Sequence, residues 1–186
     1  ITIKNKELVV KVNGFTINDE NIVDLIYSLE HTKENQELKE YCDVIVSENT
    51  ITVKYPEKKY KNGIHFQEGE AVLYLLDGED LNRKVLMTRS TGMRIFEQNR
   101  ISGSISFTGI LRITGINMNT IFKDMENPEH NKWEANRYEE NPKLADKIFA
   151  DLRRFIREEV KKHYQEEIKD QINAIGLGDF LPNMQL

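Results

Sequence analysis

The pattern that most constrains the fold lies in the C-terminal third of the chain, where apolar residues recur every three or four positions over residues 142–174. Charged residues fill the positions between them, which predicts a long amphipathic helix packed on a core. Asn141-Pro142 supplies a cap and a first helical residue, and Gly176 and Gly178 are placed to end the helix. The apolar positions are Leu144, Ile148, Leu152, Phe155, Ile156, Val160, Tyr164, Ile168 and Ile172.

Short runs of β-branched and apolar residues, bounded by turn residues, fill most of the chain before this helix. Residues 71–76 are almost continuously apolar, which is typical of a strand covered on both faces. The Asn13-Gly14 pair predicts a turn after a first strand, and Glu48-Asn49 predicts the turn of a hairpin. We expect the other strands at residues 8–12, 43–47, 50–53, 84–88, 93–97 and, as one long strand or two short ones, within 104–115.

A shorter helical stripe over residues 18–30, capped by Asn18 or Asp19, predicts one early helix. The polar residues 31–40 predict a loop or an exposed helical turn, and Asn127-Pro128 is interpreted as a second helix start. Together these elements predict an α+β fold, with helices on one face of a mixed sheet. We expect one globular unit, in which a C-terminal helical segment (136–186) packs on an α/β domain (1–135).

Composition narrows the possible functions. The chain has 186 residues with 26 basic and 31 acidic side chains, a net charge of −5, which argues against a general nucleic-acid coat. Cys42 is the single cysteine, so one chain offers neither a disulfide framework nor a thiolate zinc site, and a reducing cytoplasm fits best. No apolar run has membrane-spanning length, and we expect no membrane role. Because Ile1 precedes a strand-like segment, we expect the chain to come from inside a longer polypeptide.

One basic stretch leaves two interpretations open. Lysines interleaved with tyrosines can contact nucleic-acid phosphates, and the same pattern also describes a lysine-protected loop between two strands. The lysines are Lys54, Lys58, Lys59 and Lys61, and the tyrosines are Tyr55 and Tyr60.

Common catalytic signatures are missing from the sequence, including a phosphate-cradling glycine loop, Gly-x-Ser-x-Gly and His-Glu-x-x-His. One cluster of carboxylates and an imidazole has the residue types for a divalent metal or for acid–base work. Because Asn127-Pro128 breaks any single helix through it, capping and ion pairing are the competing interpretation. Its members are Asp124, Glu126, Glu129 and His130, followed by Trp133 and Glu134.

A second cluster lies in the connection between two predicted strands, over residues 88–94. It combines the guanidinium groups of Arg89 and Arg94 with hydroxyl groups and Gly92. Backbone amides, hydroxyls and arginines are the groups that bind an anionic phosphate. A solvated turn is the competing interpretation.

Three runs then carry a family resemblance: residues 86–96, residues 107–111 and residues 123–133. They resemble the region behind the ATP-binding domain in prokaryotic MORC-like proteins, which are GHKL ATPases, the superfamily of gyrase B, MutL and histidine kinases. The resemblance covers roughly residues 70–170, and the Glu-Asn-Pro-x-His-x-x-Trp run from Glu126 to Trp133 is its most specific part.

The resemblance implies a transducer domain with a left-handed βαβ crossover, like the second domain of ribosomal protein S five. It implies that ATP and magnesium are bound by an upstream domain of the same chain, and that this part is not catalytic alone. In such proteins one basic side chain reaches the γ-phosphate and stabilises developing negative charge. The match by position implies Arg89 for that role, with Lys84 and Arg94 behind it and Gly92 permitting the tight turn.

The resemblance further implies closure of a homodimer on ATP binding and a DNA-associated role in a system such as phage defence. Two other functions remain open from the residues. One is a stand-alone nucleic-acid-binding module that uses the basic and aromatic segment 54–61. The other is a small metal-dependent hydrolase centred on Glu126, Glu129 and His130.

Overall fold

A computed structural model describes residues 1–176, with side chains through residue 163 apart from that of Asn62. The N-terminal part contains β1 (Val10–Val12), β2 (Phe15–Ile17), α1 (Ile22–Tyr27), α2 (Lys33–Val46), β3 (Ile51–Lys54), β4 (Lys58–Lys59) and β5 (His65–Phe66). The remainder contains β6 (Ala71–Asp77), β7 (Val85–Thr88), β8 (Arg94–Gln98), β9 (Phe107–Ile113), α3 (Ile116–Asp124) and α4 (Pro142–Gly176).

A five-stranded mixed sheet forms the centre of the fold, in the order β3-β6-β9-β7-β8. Neighbouring strands are antiparallel except β7 and β9, which are parallel. β1 pairs with β2 around Asn13-Gly14, and β4 pairs with β5, as two small separate hairpins. The predicted α+β class, mixed sheet and long C-terminal helix are therefore confirmed.

One face of the sheet holds the main core. Leucine, isoleucine and methionine side chains of β6, β7 and β9 pack against α3 and α4, and each fully buried side chain of this size contributes about 1.5–3 kcal/mol. Side chains from both sides of residue 135 share this core. The fully buried members from the helices are Met118, Phe122, Ala145, Ile148, Leu152, Ile156 and Val160.

The opposite face of the sheet is covered by α2, so helices lie on both faces and not on one as predicted. Tyr41 and Val44 of α2 pack there with Ile110 of β9 and with side chains of β6 and β7. Residues 43–46 continue α2, so the predicted strand at 43–47 and the hairpin around Glu48-Asn49 are wrong. The β-branched residues 44–46 take helical backbone because α2 buries its apolar stripe on the sheet.

The connection between the two parallel strands also differs from expectation. β7 leads to β9 through the antiparallel strand β8, without a helix between them. A βαβ crossover of the transducer type is therefore not found within residues 1–176.

Two further local predictions are corrected. Asn127-Pro128 does not start a helix, because the Asn127 side chain accepts hydrogen bonds from the backbone N–H groups of Asn131 and Lys132 and closes a loop. The helix in this region is α3, which the sequence pattern did not predict. Gly176 is the last residue of α4, and the predicted role of Gly178 lies outside the described residues. Within residues 1–176, no helix combines the length and apolar character needed to cross a membrane.

Candidate functional site

A groove lies where α2 leaves the sheet uncovered. α2 packs over β6 and β9, and between it and the outer strands β7 and β8 there is a cavity of about 640 Å³. A second cavity of about 300 Å³ shares Glu37 and extends along α2 to Lys84. We call this surface the α2–β8 groove, and its main lining residues are Glu34, Glu37, Leu38, Tyr41, Arg94 and Glu97.

The carboxylate of Glu97 holds two basic side chains at this groove. Its Oε2 atom accepts from Lys84 Nζ at 2.9 Å, and its Oε1 atom accepts from Arg94 at 3.1 Å. Lys84 Nζ also donates to Glu37 Oε1 at 2.7 Å, so one ammonium group links α2 to β8. Arg94 is 67% exposed, whereas Lys84 is 26% exposed.

The charge of Lys84 is favoured by these neighbours. Burial alone lowers the pKa of Lys84, but its hydrogen bonds to Glu37 and Glu97 outweigh burial and raise it above the ordinary value. The ammonium group therefore stays protonated at neutral pH. Because its two bonded carboxylates sit on different elements, displacing it from either one breaks this ionic link between α2 and β8.

The groove also holds polar atoms that lack partners. The Tyr41 hydroxyl and the Asn82 side-chain nitrogen are buried and make no hydrogen bond with the described residues. Tyr41 is 5% exposed; burial raises its pKa, and the nearby carboxylates of Glu97 and Glu37 raise it further. The hydroxyl therefore stays protonated and remains a donor. Leaving such groups unpaired costs about 1–3 kcal/mol each.

Arg89, the first candidate from the sequence, points away from this groove. Its Nε atom lies 2.8 Å from Oε2 of Glu126, with the two side chains 13% and 3% exposed. The contact is an ion pair without hydrogen-bond alignment, since both atoms lack an aligned partner. The other oxygen of Glu126 contacts Nδ1 of His130. The turn after β7 and the loop after α3 are thus joined by a buried carboxylate.

The loop that carries Glu126 is anchored by its own residues. Trp133 packs edge-on against Phe122 and Phe96, with ring centroids 4.5 Å and 5.3 Å away. His130 has a left-handed backbone with φ of 55°, which directs its ring to Glu126. The runs 86–96 and 123–133, distant in sequence, therefore pack together as one structural unit.

Side chains from α3 and from β9 both form hydrogen bonds with the turn of residues 89–92. Gly92 has φ of +77°, a conformation that glycine adopts without strain. Ser90 donates its hydroxyl to Asn119 of α3 at 3.0 Å, and Arg112 of β9 donates to the Ser90 carbonyl at 3.1 Å. Sequence reasoning missed Asn119 and Arg112. For Arg112, the signal available in the sequence was a charged residue inside the otherwise apolar run of β9.

The carboxylate and imidazole cluster of residues 124–134, which was considered as a metal site, does not come together as a single group of ligands. Glu126 contacts His130, whereas Glu129 accepts from the Asn127 side chain at 2.7 Å. Among the residues described, no group of three His, Cys, Asp or Glu side chains is arranged to hold a metal ion. The contacts of Glu126 and Glu129 fit the interpretation of capping and ion pairing.

The basic and aromatic segment 54–61 is divided between core and surface. Tyr55 and Tyr60 are buried, so their rings are not available to stack on bases. Lys58 pairs with the buried carboxylate of Asp151 at 2.7 Å, and Lys59 pairs with Glu57 at 3.2 Å. Lys54, Lys59 and Lys61 remain on the surface.

Comparison with known proteins gives no relative: no family model, curated protein or solved structure matches this chain. The chemistry of the α2–β8 groove and of the Arg89–Glu126 pair is therefore the basis for a functional proposal.

Proposed function

We propose that this chain is the coupling domain of a GHKL-type ATPase. In this proposal it contacts the phosphate of a nucleotide held by an upstream ATP-binding domain and links ATP binding to a conformational change. The observation that carries the proposal is the α2–β8 groove, where Glu97 holds Lys84 and Arg94 together. Tyr41 adds a buried hydroxyl that lies near Glu97 and makes no aligned hydrogen bond with the described residues. Ammonium, guanidinium and hydroxyl groups are the donors that a phosphate requires.

The same geometry favours Lys84 or Arg94, and not Arg89, as the residue whose side chain contacts the nucleotide phosphate. Arg89 would have to leave Glu126, which is 3% exposed, and removing one partner from a buried ion pair costs about 3–5 kcal/mol. Arg94 is mostly exposed, and Glu97 keeps its bond to Lys84 when Arg94 leaves, so Arg94 can exchange this carboxylate for a phosphate at small cost. In this proposal Arg89 has a structural role and fixes the turn that leads into β8.

A mechanism for coupling follows from the two bonds of Lys84. Its ammonium group joins Glu37 of α2 to Glu97 of β8. A phosphate that enters the groove competes with both carboxylates for the same three donor hydrogens. Its arrival therefore weakens the link between α2 and β8 and allows the helix to shift on the sheet. Loss of the phosphate restores the link.

The wider setting belongs to the proposal as well. ATP and magnesium would be held by the upstream domain of the same chain, and residues 1–186 alone would not be an enzyme. The proposal also includes a homodimer and a DNA-associated role such as phage defence, as the resemblance implies, and a cytoplasmic location, as the single cysteine suggests. The exposed β1–β2 hairpin, with Val12 and Phe15 on its apolar face, is available for contact with another domain.

The decisive experiment measures ATP turnover by a polypeptide that contains both the ATP-binding domain and this chain. Lys84→Ala, Arg94→Ala and Arg89→Ala are compared with Lys123→Ala, which removes one exposed charge away from the groove. We expect at least a roughly tenfold loss for Lys84→Ala or Arg94→Ala, about 1.4 kcal/mol in barrier. Lys123→Ala should retain full turnover.

Two outcomes contradict the proposal. Full turnover in both Lys84→Ala and Arg94→Ala would show that the groove does not serve the nucleotide. ATP hydrolysis by residues 1–186 alone, with the same sensitivity to these substitutions, would show that the chain is itself catalytic.

A further inference from the structure

The exposed side of α4 carries a row of basic residues. At about 100° per residue around a helix of 3.6 residues per turn, five cations fall within an arc of about 80°. No acidic residue falls within that arc in the described part of the helix. At about 1.5 Å per residue, the row is about 27 Å long. Its members, which we call the α4 basic stripe, are Lys143, Lys147, Arg154, Arg157 and Lys161.

The charge of this stripe is mostly uncompensated. Arg154 pairs with Asp151 at 2.6 Å and approaches Glu158 at 3.8 Å. The other four members make no ion pair with the residues described. The whole chain carries a net charge of −5, so a single-sign row on one helix does not follow from the composition.

Arg153, next to the α4 basic stripe, carries a positive charge that its surroundings disfavour. Arg153 lies over the ring of Phe149 at 3.9 Å, and its Nε atom is buried without a hydrogen-bond partner among the described residues. Burial lowers the pKa of Arg153, and the positive charge of Arg157 lowers it further. Two guanidinium groups that repel each other beside an unpaired donor are stabilised when an anion approaches.

We propose that the α4 basic stripe binds the phosphate backbone of double-stranded nucleic acid. A straight row of cations about 27 Å long matches a linear polyanion, and neutralising its phosphates releases condensed counterions. Through residue 163, the apolar side of α4 is buried in the core, so this part of the helix lacks the free apolar face that a membrane-surface helix inserts. Contacts to backbone phosphates carry no sequence information, so binding through them is independent of sequence. This surface is separate from the α2–β8 groove, and the proposal stands without the ATPase proposal.

The test uses fluorescence anisotropy of a labelled DNA duplex of about 20 base pairs, titrated with the 186-residue chain at increasing salt. With four phosphate contacts, the affinity should fall roughly a hundredfold between about 50 and 200 mM salt. The triple variant Lys147→Gln/Arg157→Gln/Lys161→Gln should bind more weakly. Its salt slope should be shallower by about 2.7, or about 0.9 for each contact removed.

A matched control removes the same charge elsewhere. Lys54→Gln/Lys59→Gln/Lys61→Gln changes three exposed lysines of the other basic segment, and it should retain the affinity and salt slope of the wild type. Circular dichroism checks that both variants are folded. Absence of binding at about 50 mM salt, or an equal loss in both triple variants, would overturn the proposal. Equal competition by a polyglutamate peptide would also overturn it, because the stripe would then bind any polyanion.

Discussion

Arg89 Nε and Glu126 Oε2 lie 2.8 Å apart in the interior, and this contact joins the turn after β7 to the loop after α3. A buried ion pair adds little stability compared with a well-packed apolar pair, since both charges must lose their water. Removing only one partner is different, because it leaves an uncompensated charge in the interior. The pair therefore acts mainly to fix which segments pack together.

We therefore expect Glu126→Ala to lower the free energy of unfolding by about 3–5 kcal/mol, because Arg89 is left buried without a counter-charge. Urea denaturation measures this change, and Glu139→Ala, at an exposed position, is the control. The double variant Arg89→Leu/Glu126→Leu should recover most of the loss. A Glu126→Ala protein as stable as the control would mean that the pair contributes nothing to the fold.

Gly115 gives a second prediction from steric contact. A Cβ atom added there would lie 2.1 Å from the Cγ atom of Glu70. Glu70 accepts from the backbone N–H of Met118 at 2.7 Å, so it caps α3. Gly115→Ala displaces that cap and should lower the free energy of unfolding by roughly 2 kcal/mol or more.

The matched control for this substitution is Gly103→Ala, since nothing lies within 4 Å of a Cβ atom at Gly103. We expect that control to stay within about 0.5 kcal/mol of the wild type in urea denaturation. Equal stability of the two variants would show that Glu70 moves aside without cost.

The buried hydroxyl of Tyr41 in the α2–β8 groove gives a third prediction. Its hydroxyl is buried and makes no aligned hydrogen bond with the described residues, so Tyr41→Phe should leave the free energy of unfolding unchanged or raise it by up to about 1 kcal/mol. Tyr60→Phe is the contrasting variant, because the Tyr60 hydroxyl donates to Asp151 at 3.0 Å. That variant should lose roughly 1–2 kcal/mol. A similar loss in Tyr41→Phe would reveal a hydrogen bond that the hydroxyl makes in solution.

The sequence predicted those parts of the fold that local patterns determine. The five strands of the central sheet all overlap predicted strands, and the long helix begins at Pro142 as expected from its cap. α2 was missed because the β-branched residues 44–46 favour strand by themselves. Thr32 caps this helix by accepting from Asn35 N at 3.2 Å, and that side chain was the signal available in the sequence.

The rest depends on contacts between distant residues. α3 has no capping side chain of its own at Gly115, because its cap is Glu70, which reaches Met118 from 48 residues earlier. The groove likewise depends on Lys84 meeting Glu37 across 47 residues. Local propensity carries no information about such pairs. The sequence therefore identified Lys84, Arg89 and Arg94 as candidates without showing which of them share a site.

Asp151 links stability to pH. Burial alone would raise the pKa of this carboxyl, but hydrogen bonds from Lys58 and Tyr60 outweigh burial and hold it below the ordinary value. An acid whose pKa is lower in the folded state contributes stability above its unfolded pKa of about 3.9. That contribution is lost as pH falls through the folded pKa. Acid should therefore weaken the attachment of the segment 54–61 to α4.

We expect Asp151→Asn to be roughly 1–3 kcal/mol less stable than the wild type at neutral pH, because charged hydrogen bonds are lost. The difference should shrink as pH falls below about 4, where the unfolded wild-type chain takes up the proton, and it should disappear below the lowered folded pKa. Urea denaturation of both proteins at several pH values measures it, with Asp146→Asn, at an exposed position of α4, as the control. A difference that stays constant down to about pH 2 would show that packing, and not the charge of Asp151, holds the segment on the helix.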